Sequence, residues 1–235
     1  MNLSDLLDLK PCDFKDRDIS AYEILSWFDA CDAYWMHSGD PSDPHAELTS
    51  GMCSNGFFDC LRVLKYVNLS EILANELACR IRSAIGDQKV DWVIGSPMAG
   101  ITFGYAVARA LGASIFMFTE KDPAKKGKML WNRLAIPEGD TVLQIEELTT
   151  TSKTLNAVQE AVDIGNPNPV NWLPFIGILV HRPPELPVNY YGSRKVVALI
   201  KKEIWAVEPS ECQLCKAGSV RYRPKTHWRE LTGKA

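Results

Sequence analysis

The sequence predicts an α/β protein with a largely parallel sheet that helices cover on both faces. Five short apolar runs, near residues 90, 115, 141, 175 and 196, have the length and composition of buried strands. Segments of helical or loop character separate these runs, and strands that alternate with helices usually pair in parallel. Ligands bind beyond the carboxyl ends of such strands, so the residues that follow each strand are the first candidates for a site.

Length, composition and charge indicate a globular protein with an ordinary core. The 235 residues fit one large domain or a domain with appendages, and 46% of them are hydrophobic and 23% charged. A net charge of -3 gives no indication of a nucleic-acid surface, and no apolar run approaches the ~20 residues that span a bilayer. The N-terminus lacks a signal-peptide pattern, and seven scattered cysteines indicate reduced thiols, so we expect a cytoplasmic protein.

The first 69 residues are predicted to form an N-terminal helix and hood region. Apolar residues at helical spacing predict a helix over 20–35, and a polar turn at 39–44 follows it. From 45 to 62 the pattern predicts two short strands around a glycine-containing turn. We assign no chemistry to the helix, for which packing or an oligomer contact is the simpler interpretation.

The core, predicted to span 70–205, begins with a helix and a strand–turn–helix unit. An apolar stripe predicts a helix over 70–85, and Gly86 is placed to end it. A strand at 90–94 then leads through a glycine-bounded turn into a second helix at 101–111. Such a turn lets backbone N–H groups approach an anion, although many α/β proteins have one without that use. The turn consists of Ser96, Pro97, Met98, Ala99 and Gly100.

Lysines dominate the stretch that follows the second core strand, predicted at 115–118. Residues 119–128 include Lys121 and Lys125 and have too little apolar periodicity to pack as a core element. One interpretation is a mobile, solvated loop. The other is a lid whose lysines neutralise an anionic leaving group and exclude water.

The most informative stretch, 141–155, combines a strand, an acidic pair, a hydroxyl-rich loop and a helix. The apolar run 142–145 predicts a buried strand, with Glu146 and Glu147 expected where it ends. Unpaired N–H groups at a helix start suit a phosphate, whereas carboxylates suit sugar hydroxyls or Mg²⁺. A phosphorylated sugar satisfies both halves; the alternative is a helix cap beside two solvated glutamates. The loop consists of Thr150, Thr151, Ser152, Lys153 and Thr154.

The remaining elements are two strands and a tail at 206–235. The run 175–180 predicts a strand that ends in His181 and Arg182, and 196–200 supplies the fifth strand. Cys212 and Cys215 form a Cys-x-x-Cys pair, which by itself is half of a zinc site. Because the sequence offers no second pair and His227 lies too far along, we predict no protein-held metal.

These motifs resemble those of the type I phosphoribosyltransferases. The stretch around Glu146 resembles their motif for phosphoribosyl pyrophosphate (PRPP), in which two acidic residues precede a Thr-Gly-x-Thr-like phosphate loop. The string Ser50-Gly51 to Phe58 resembles the hood of the orotate branch. Over roughly 45–220 the resemblance implies the family fold: an α/β core with a mainly parallel five-stranded sheet, flanking helices and a small N-terminal hood.

The resemblance also implies a reaction, in which ribose 5-phosphate passes from PRPP to a nucleobase, most naturally orotate, with release of pyrophosphate. It implies Mg²⁺ that is bound mainly through PRPP, and a homodimer that shares the lid. Glu146, Glu147 and Lys125 are the implied catalytic residues, and Arg182, Phe57 and Phe58 the base-binding ones. The implied PRPP-binding residues are Thr150, Thr151, Ser152, Lys153, Thr154, Ser96, Pro97, Met98, Ala99, Gly100 and Lys121.

Several positions depart from the family pattern. Glu147 stands where aspartate is usual, and Ser152 where glycine is usual. Thr49 and Ala99 replace lysines of the orotate branch, and Glu120 replaces an arginine before the lid. These departures leave two alternatives open: a phosphoribosyltransferase for another base, and a regulatory protein that binds PRPP with little turnover.

Overall fold

The computed structural model describes residues 2–234 and builds the chain around one central sheet. A second sheet of four short strands and two separate strand pairs lie beside it. The strands are β1 (Tyr34–Met36), β2 (His45–Glu47), β3 (Cys53–Ser54), β4 (Gly56–Phe58), β5 (Trp92–Gly95), β6 (Ile115–Phe118), β7 (Glu120–Lys121), β8 (Met129–Leu130), β9 (Thr141–Thr149), β10 (Asn171–His181), β11 (Tyr190–Tyr191), β12 (Arg194–Lys201), β13 (Ala206–Val207) and β14 (Arg221–Tyr222). The helices are α1 (Leu3–Leu7), α2 (Ala21–Ala30), α3 (Cys60–Leu64), α4 (Val67–Ile85), α5 (Ala99–Leu111), α6 (Lys153–Gly165), α7 (Gln213–Lys216) and α8 (Trp228–Thr232), with a 3-10 turn at Pro11–Phe14.

The central sheet confirms the predicted α/β fold and corrects its strand number. Its order is β11-β12-β10-β9-β5-β6, and the five predicted strands all pair in parallel. The sixth strand is β11, an antiparallel edge that pairs Tyr190 with Lys195 and Tyr191 with Arg194. Two residues are too short to give an alternation signal, so the sequence did not indicate this strand.

Strand β9 extends further than the apolar run that predicted it. It continues through Glu146 and Glu147 to Thr149, because it stays paired with β10 as far as His181. The acidic pair therefore lies inside β9, near its carboxyl end, and not beyond the strand. Backbone hydrogen bonds to a neighbouring strand consequently hold both glutamates in place.

Helices cover both faces of the sheet, as predicted. Val93, Leu143 and Ile145 face the side of α4 and α5 and belong to the main core. The residues that alternate with these along the strands, such as Ile94 and Val142, pack against α6 on the other side. This alternation follows from the period of two along each strand.

The predicted helix over 20–35 is too long. α2 ends at Ala30, and Asp32 takes a left-handed backbone with φ 53° that a helix cannot contain. The following residues form β1, which pairs antiparallel with β4. Tyr34 thereby packs its ring on that of Phe58, with centroids 4.7 Å apart. A tertiary contact therefore overrides the helical pattern.

Hood and tail form a single sheet. β2 and β3 make the predicted pair around Gly51, whose φ of 87° suits glycine. In the order β13-β3-β2-β14, tail strand β13 pairs with β3 and tail strand β14 with β2. Two regions that the sequence analysis treats separately are thus joined. None of the described helices combines the length and the hydropathy needed to cross a bilayer.

Candidate active site

Three loops meet at the carboxyl edge of the central sheet. β5 pairs with β9 up to Gly95 and Ile145, so the turn that begins at Ser96 lies beside the acidic pair. β9 in turn pairs with β10 up to Thr149 and His181. The PRPP candidates that follow β5 and β9 therefore lie at the same edge as Arg182, as expected for residues at the carboxyl ends of parallel strands.

Glu146 is the most buried acid of this edge, with 1% of its surface exposed. Ser96 donates its hydroxyl to Glu146 Oε2 at 2.6 Å, while Oε1 has no hydrogen-bond partner within residues 2–234. Burial, followed by the neighbouring charge of Glu147, raises the pKa of Glu146 to about 8. A buried oxygen without a partner is costly, which makes it a suitable acceptor for a ligand hydroxyl.

Glu147 lies next to the start of α5. Its Oε2 is also buried without a partner in the part of the chain that the structure describes. Burial raises the pKa of Glu147, and the charge of Lys121 opposes this in part. A side chain at Gly100 would lie 3.3 Å from Glu147 Oε2, so glycine leaves room for the carboxylate against the helix start. Glu147 therefore packs against the start of α5, within range of the charge of Lys121.

A cleft of about 380 Å³ separates the hood from the edge of the sheet. Arg182 lines it, and the Nε and Nη1 atoms of this guanidinium are buried without partners among the described residues. Burial lowers the pKa of Arg182. An unpaired buried cation is unfavourable, so this one is best explained by an anionic ligand such as a carboxylate. The cleft lining also includes Thr49, Ser50, Phe57, Phe58, Cys60, Ala99, Glu147 and Lys225.

The two hood phenylalanines differ in their surroundings. Phe58 packs in the main core, with its ring centroid 5.6 Å from that of Phe28. Phe57 borders the cleft and approaches Trp228 of the tail, with centroids 6.3 Å apart. Phe57 is therefore better placed than Phe58 to contact a planar base.

The hydroxyl-rich loop leads directly into α6. Thr151, Lys153 and Thr154 are exposed at the start of this helix. Ser152, at the position where the family usually has glycine, adopts φ 58° and ψ 2°, which is the left-handed conformation that glycine tolerates best. Its backbone carbonyl accepts the N–H of Asn156 at 2.8 Å and so begins the helix. A residue other than glycine thus holds a left-handed backbone at the start of α6, at some cost in strain.

A hydrogen-bond chain holds this loop from behind. Tyr191 donates its hydroxyl to the Thr150 carbonyl at 3.2 Å, and His181 Nε2 lies 2.9 Å from the same hydroxyl. Burial, followed by the charge of Lys201, lowers the pKa of His181 to about 4, so the imidazole is neutral near pH 7. The His181 ring can then donate its proton to Tyr191, which donates onward to the loop.

The lysine-rich stretch forms a hairpin of β7 and β8. Lys128 binds Glu160 of α6 with two contacts of 2.7 Å. Lys125 lines a groove along α6 and not the cleft that contains Glu147 and Arg182. Of the two lysines predicted for the site, Lys121 lies near enough for its charge to act on Glu147, whereas Lys125 lies apart along α6.

Sequence reasoning missed three residues near the site. Lys225 reaches the cleft from the tail, and Cys60 lies under it with its thiol 3.4 Å from the Glu147 carbonyl. Tyr191 donates a hydrogen bond to the Thr150 carbonyl of the hydroxyl-rich loop. No local pattern marks these residues, because each reaches the site through a long-range contact. A larger surface cleft of about 570 Å³ lies elsewhere, and its buried acid Glu76 is already paired with Arg80 and the Ile19 N–H.

Comparisons with known proteins agree with this geometry. No family model matches the chain. The orotate phosphoribosyltransferase of Pelotomaculum thermopropionicum is 34% identical over 193 residues, which cover 82% of this chain and 94% of that protein. The orotate phosphoribosyltransferase of a Thermoanaerobacter species is 33% identical over 181 residues, covering 77% and 87%.

Solved structures show the same fold. The orotate phosphoribosyltransferase from Aeropyrum pernix matches with a TM-score of 0.52 and 17% identity, covering 76% of this chain and 93% of that one. The UMP synthase of Leishmania donovani matches with a TM-score of 0.57 and 17% identity, covering 78% and 36%. With sequence relatives above 30% identity along nearly their whole length, this chain belongs to the type I phosphoribosyltransferase family.

Proposed function

We propose that the protein is an orotate phosphoribosyltransferase of pyrimidine nucleotide biosynthesis. It would transfer ribose 5-phosphate from PRPP to orotate and release pyrophosphate. The observation that carries this proposal is the guanidinium of Arg182, in a cleft beside Glu147, whose buried Nε and Nη1 have no partner within residues 2–234. A guanidinium can bind a planar carboxylate through two parallel hydrogen bonds, and orotate carries one where uracil and the purines do not.

Each part of PRPP has a suitable partner at the edge of the sheet. The 5′-phosphate would take the N–H groups at the start of α6, with the hydroxyls of Thr151 and Thr154 and the charge of Lys153 around it. The ribose hydroxyls would donate to the unpartnered oxygens of Glu146 and Glu147. The turn at 96–98 and the first residues of α5, which begins at Ala99 and so earlier than predicted, would face the pyrophosphate together with Lys121.

Catalysis in this arrangement is positioning and charge stabilisation. The bond from ribose C1 to pyrophosphate would break as the base nitrogen approaches, through a transition state with oxocarbenium character like that of glycoside cleavage. Lys121 and the N–H groups of the turn would stabilise the charge that develops on pyrophosphate. Holding both reactants in one cleft supplies the remaining acceleration. Lys125 would join only if the hairpin closes over the cleft.

Mg²⁺ fits the same acidic edge. The unpartnered oxygens of Glu146 and Glu147 are of the type that Mg²⁺ prefers, and the ion, bound mainly through PRPP, would neutralise the pyrophosphate charge. The proposal also includes a homodimer whose partner shares the lid, and a cytoplasmic location in which the seven free thiols would stay reduced.

A second candidate is a phosphoribosyltransferase that accepts another base. Thr49 and Ala99 line the cleft at positions where the orotate branch has lysines, so two cations that favour an acidic base are replaced. A regulatory protein that binds PRPP with little turnover is the third possibility, favoured by the strained Ser152. These three functions differ in the base that is consumed.

The first test is the loss of orotate ultraviolet absorbance in the presence of PRPP and Mg²⁺. We expect loss that requires the metal and that stops in Glu146→Ala, but not in the control Glu138→Ala, whose side chain is exposed. Loss with uracil or a purine in place of orotate would favour the second candidate. PRPP binding by calorimetry without consumption of any base would favour the regulatory protein, and absence of binding would refute all three.

A further inference from the structure

Four potential metal ligands from distant parts of the chain meet beside the sheet that joins the hood and the tail. They are His45, Cys53, Cys212 and Cys215, and their ligand atoms all lie within 4.8 Å of one another. The first three are buried and Cys215 is half-buried. This cluster lies outside the sheet edge that carries the acidic pair, and it does not depend on the proposed reaction.

The separations fit a tetrahedral ion. Zn–S bonds of about 2.3 Å and Zn–N bonds of about 2.0 Å imply ligand separations of about 3.8 Å between sulfurs and about 3.5 Å between sulfur and nitrogen. Cys53 Sγ lies 3.5 Å from Cys215 Sγ. His45 Nε2 lies 3.6 Å from Cys212 Sγ and 3.4 Å from Cys215 Sγ. From these contacts we infer that the four residues form a structural Zn²⁺ site.

The strand pairing explains how the ligands come together. β14 pairs in parallel with β2 and sets Arg221 against His45, while β13 pairs with β3 and sets Val207 against Cys53. The chain between β13 and β14 contains the Cys-x-x-Cys pair, so both cysteines arrive below the two hood ligands. The structure thus places His45 and Cys53, which form no second Cys-x-x-Cys pair, beside Cys212 and Cys215. The prediction of no protein-held metal is replaced by this proposal.

A second layer of contacts orients His45 for a metal. Ser219 donates its hydroxyl to the Asp43 carbonyl at 2.6 Å. The remaining lone pair of Ser219 then accepts from His45 Nδ1, 2.8 Å away. This arrangement places the ring proton on Nδ1 and leaves Nε2 free as an electron-pair donor, which is the usual support of a ligating histidine.

The surroundings also suit the charge of the loaded site. Three thiolates and one neutral imidazole around Zn²⁺ give a net charge of about −1. The Arg221 guanidinium lies 4.0 Å from Cys53 Sγ and offsets this charge. A site with four protein ligands has no open position for a substrate, so its role would be structural and not catalytic. It would fasten the tail, and with it Lys225, to the wall of the cleft.

The test is the zinc content of the full chain, purified under reducing conditions without added metal or chelator. We expect about one zinc per chain in the native protein and less than about a tenth in Cys212→Ser/Cys215→Ser. The matched control Cys12→Ser/Cys79→Ser changes two exposed cysteines and should keep its zinc. His45→Cys should keep it as well, because it replaces one ligand by another.

Two further measurements on the native protein test the zinc site even if the double variant folds poorly. Native protein loaded with Co²⁺ should show the thiolate charge-transfer and visible bands of a tetrahedral site. Removal of zinc by a chelator should make the tail the first segment that trypsin cleaves. Zinc-free native protein that gains no zinc from added Zn²⁺, zinc that persists in the double variant, or an intact mass showing a disulfide within the cluster would each overturn the proposal.

Discussion

The buried carboxyl of Glu146 should make the stability of the ligand-free protein fall as the pH rises. Its pKa is raised from 4.5 to about 8, mainly because burial disfavours the charged form. The folded protein therefore keeps a proton that the unfolded chain has already released above pH 4.5. This contribution to stability is complete at low pH and is lost as the pH passes through 8.

The magnitude follows from the two pKa values. Between about pH 6.5 and about pH 8, a single group with these values removes about 1.6 kcal/mol of unfolding free energy. The window begins at pH 6.5 because His181 has a pKa lowered to about 4 in the folded protein. Below pH 6.5, this shift makes the unfolding free energy rise with pH, which is the opposite of the Glu146 effect. Burial also raises the pKa of Glu147, which lowers the unfolding free energy over the same window. This contribution is present both in the native protein and in the Glu146→Gln variant with which it is compared.

The assay is urea denaturation across this pH window, followed by tryptophan fluorescence, without PRPP or Mg²⁺. Glu146→Gln cannot ionise, so the stability of this variant should lose most of the decline, while the exposed control Glu138→Gln should retain it. The variant should also exceed the native protein in stability at the upper end of the window. Parallel pH profiles for native protein and Glu146→Gln would refute the assignment of a neutral, buried carboxyl.

Three further predictions concern the cleft and the phosphate loop. Arg182→Met should raise the KM for orotate roughly 30- to 160-fold, as expected for about 2–3 kcal/mol of charge-assisted hydrogen bonding; an unchanged KM would exclude Arg182 from the base site. The variant should also unfold at higher urea, because it removes a buried charge that lacks a partner among the described residues. Ser152→Gly should gain up to about 1 kcal/mol in urea unfolding by relieving its φ of 58°, whereas Ser152→Ala should gain nothing. Tyr191→Phe should weaken PRPP binding about 3- to 10-fold in calorimetry, because the loop contact to Thr150 is lost. It should also cost about 1–3 kcal/mol in urea unfolding, because His181 Nε2 loses its partner; equal PRPP affinity would show that the loop contact is dispensable.

The sequence predicted those parts of the fold that depend on local physical constraints. Continuous apolar runs are typical of parallel strands, so β6 was predicted with its observed bounds and β12 within two residues. The expected burial of β6 was wrong, because it is an edge strand and only partly covered. The limits of β9 were missed because they depend on its pairing with β10, which continues past the apolar run. The edge strand β11 was missed because two residues carry no periodicity.

The same distinction applies to the site. Glu146, Ser96 and Arg182 could be predicted to converge, because parallel strands bring their carboxyl ends to one edge. Lys125 could not be placed, since the path of a hairpin depends on contacts such as Lys128 with Glu160 that no pattern announces. Lys225 was missed for the same reason, because it reaches the cleft from the far end of the chain.

The sheet that joins hood and tail shows why spacing along the chain was a poor guide to metal binding. Its strands β3, β13 and β14 have two residues each and bury too little surface to be stable by pairing alone. Side-chain contacts such as that of Arg223 with Glu47 add to the pairing, and three thiols and an imidazole converge where these strands meet. A rule that asks for a second Cys-x-x-Cys nearby cannot find ligands that the fold supplies from more than 150 residues away, as His45 does for Cys212. Short strands and a metal site therefore explain each other: the strands bring the ligands together, and the metal would keep the strands paired.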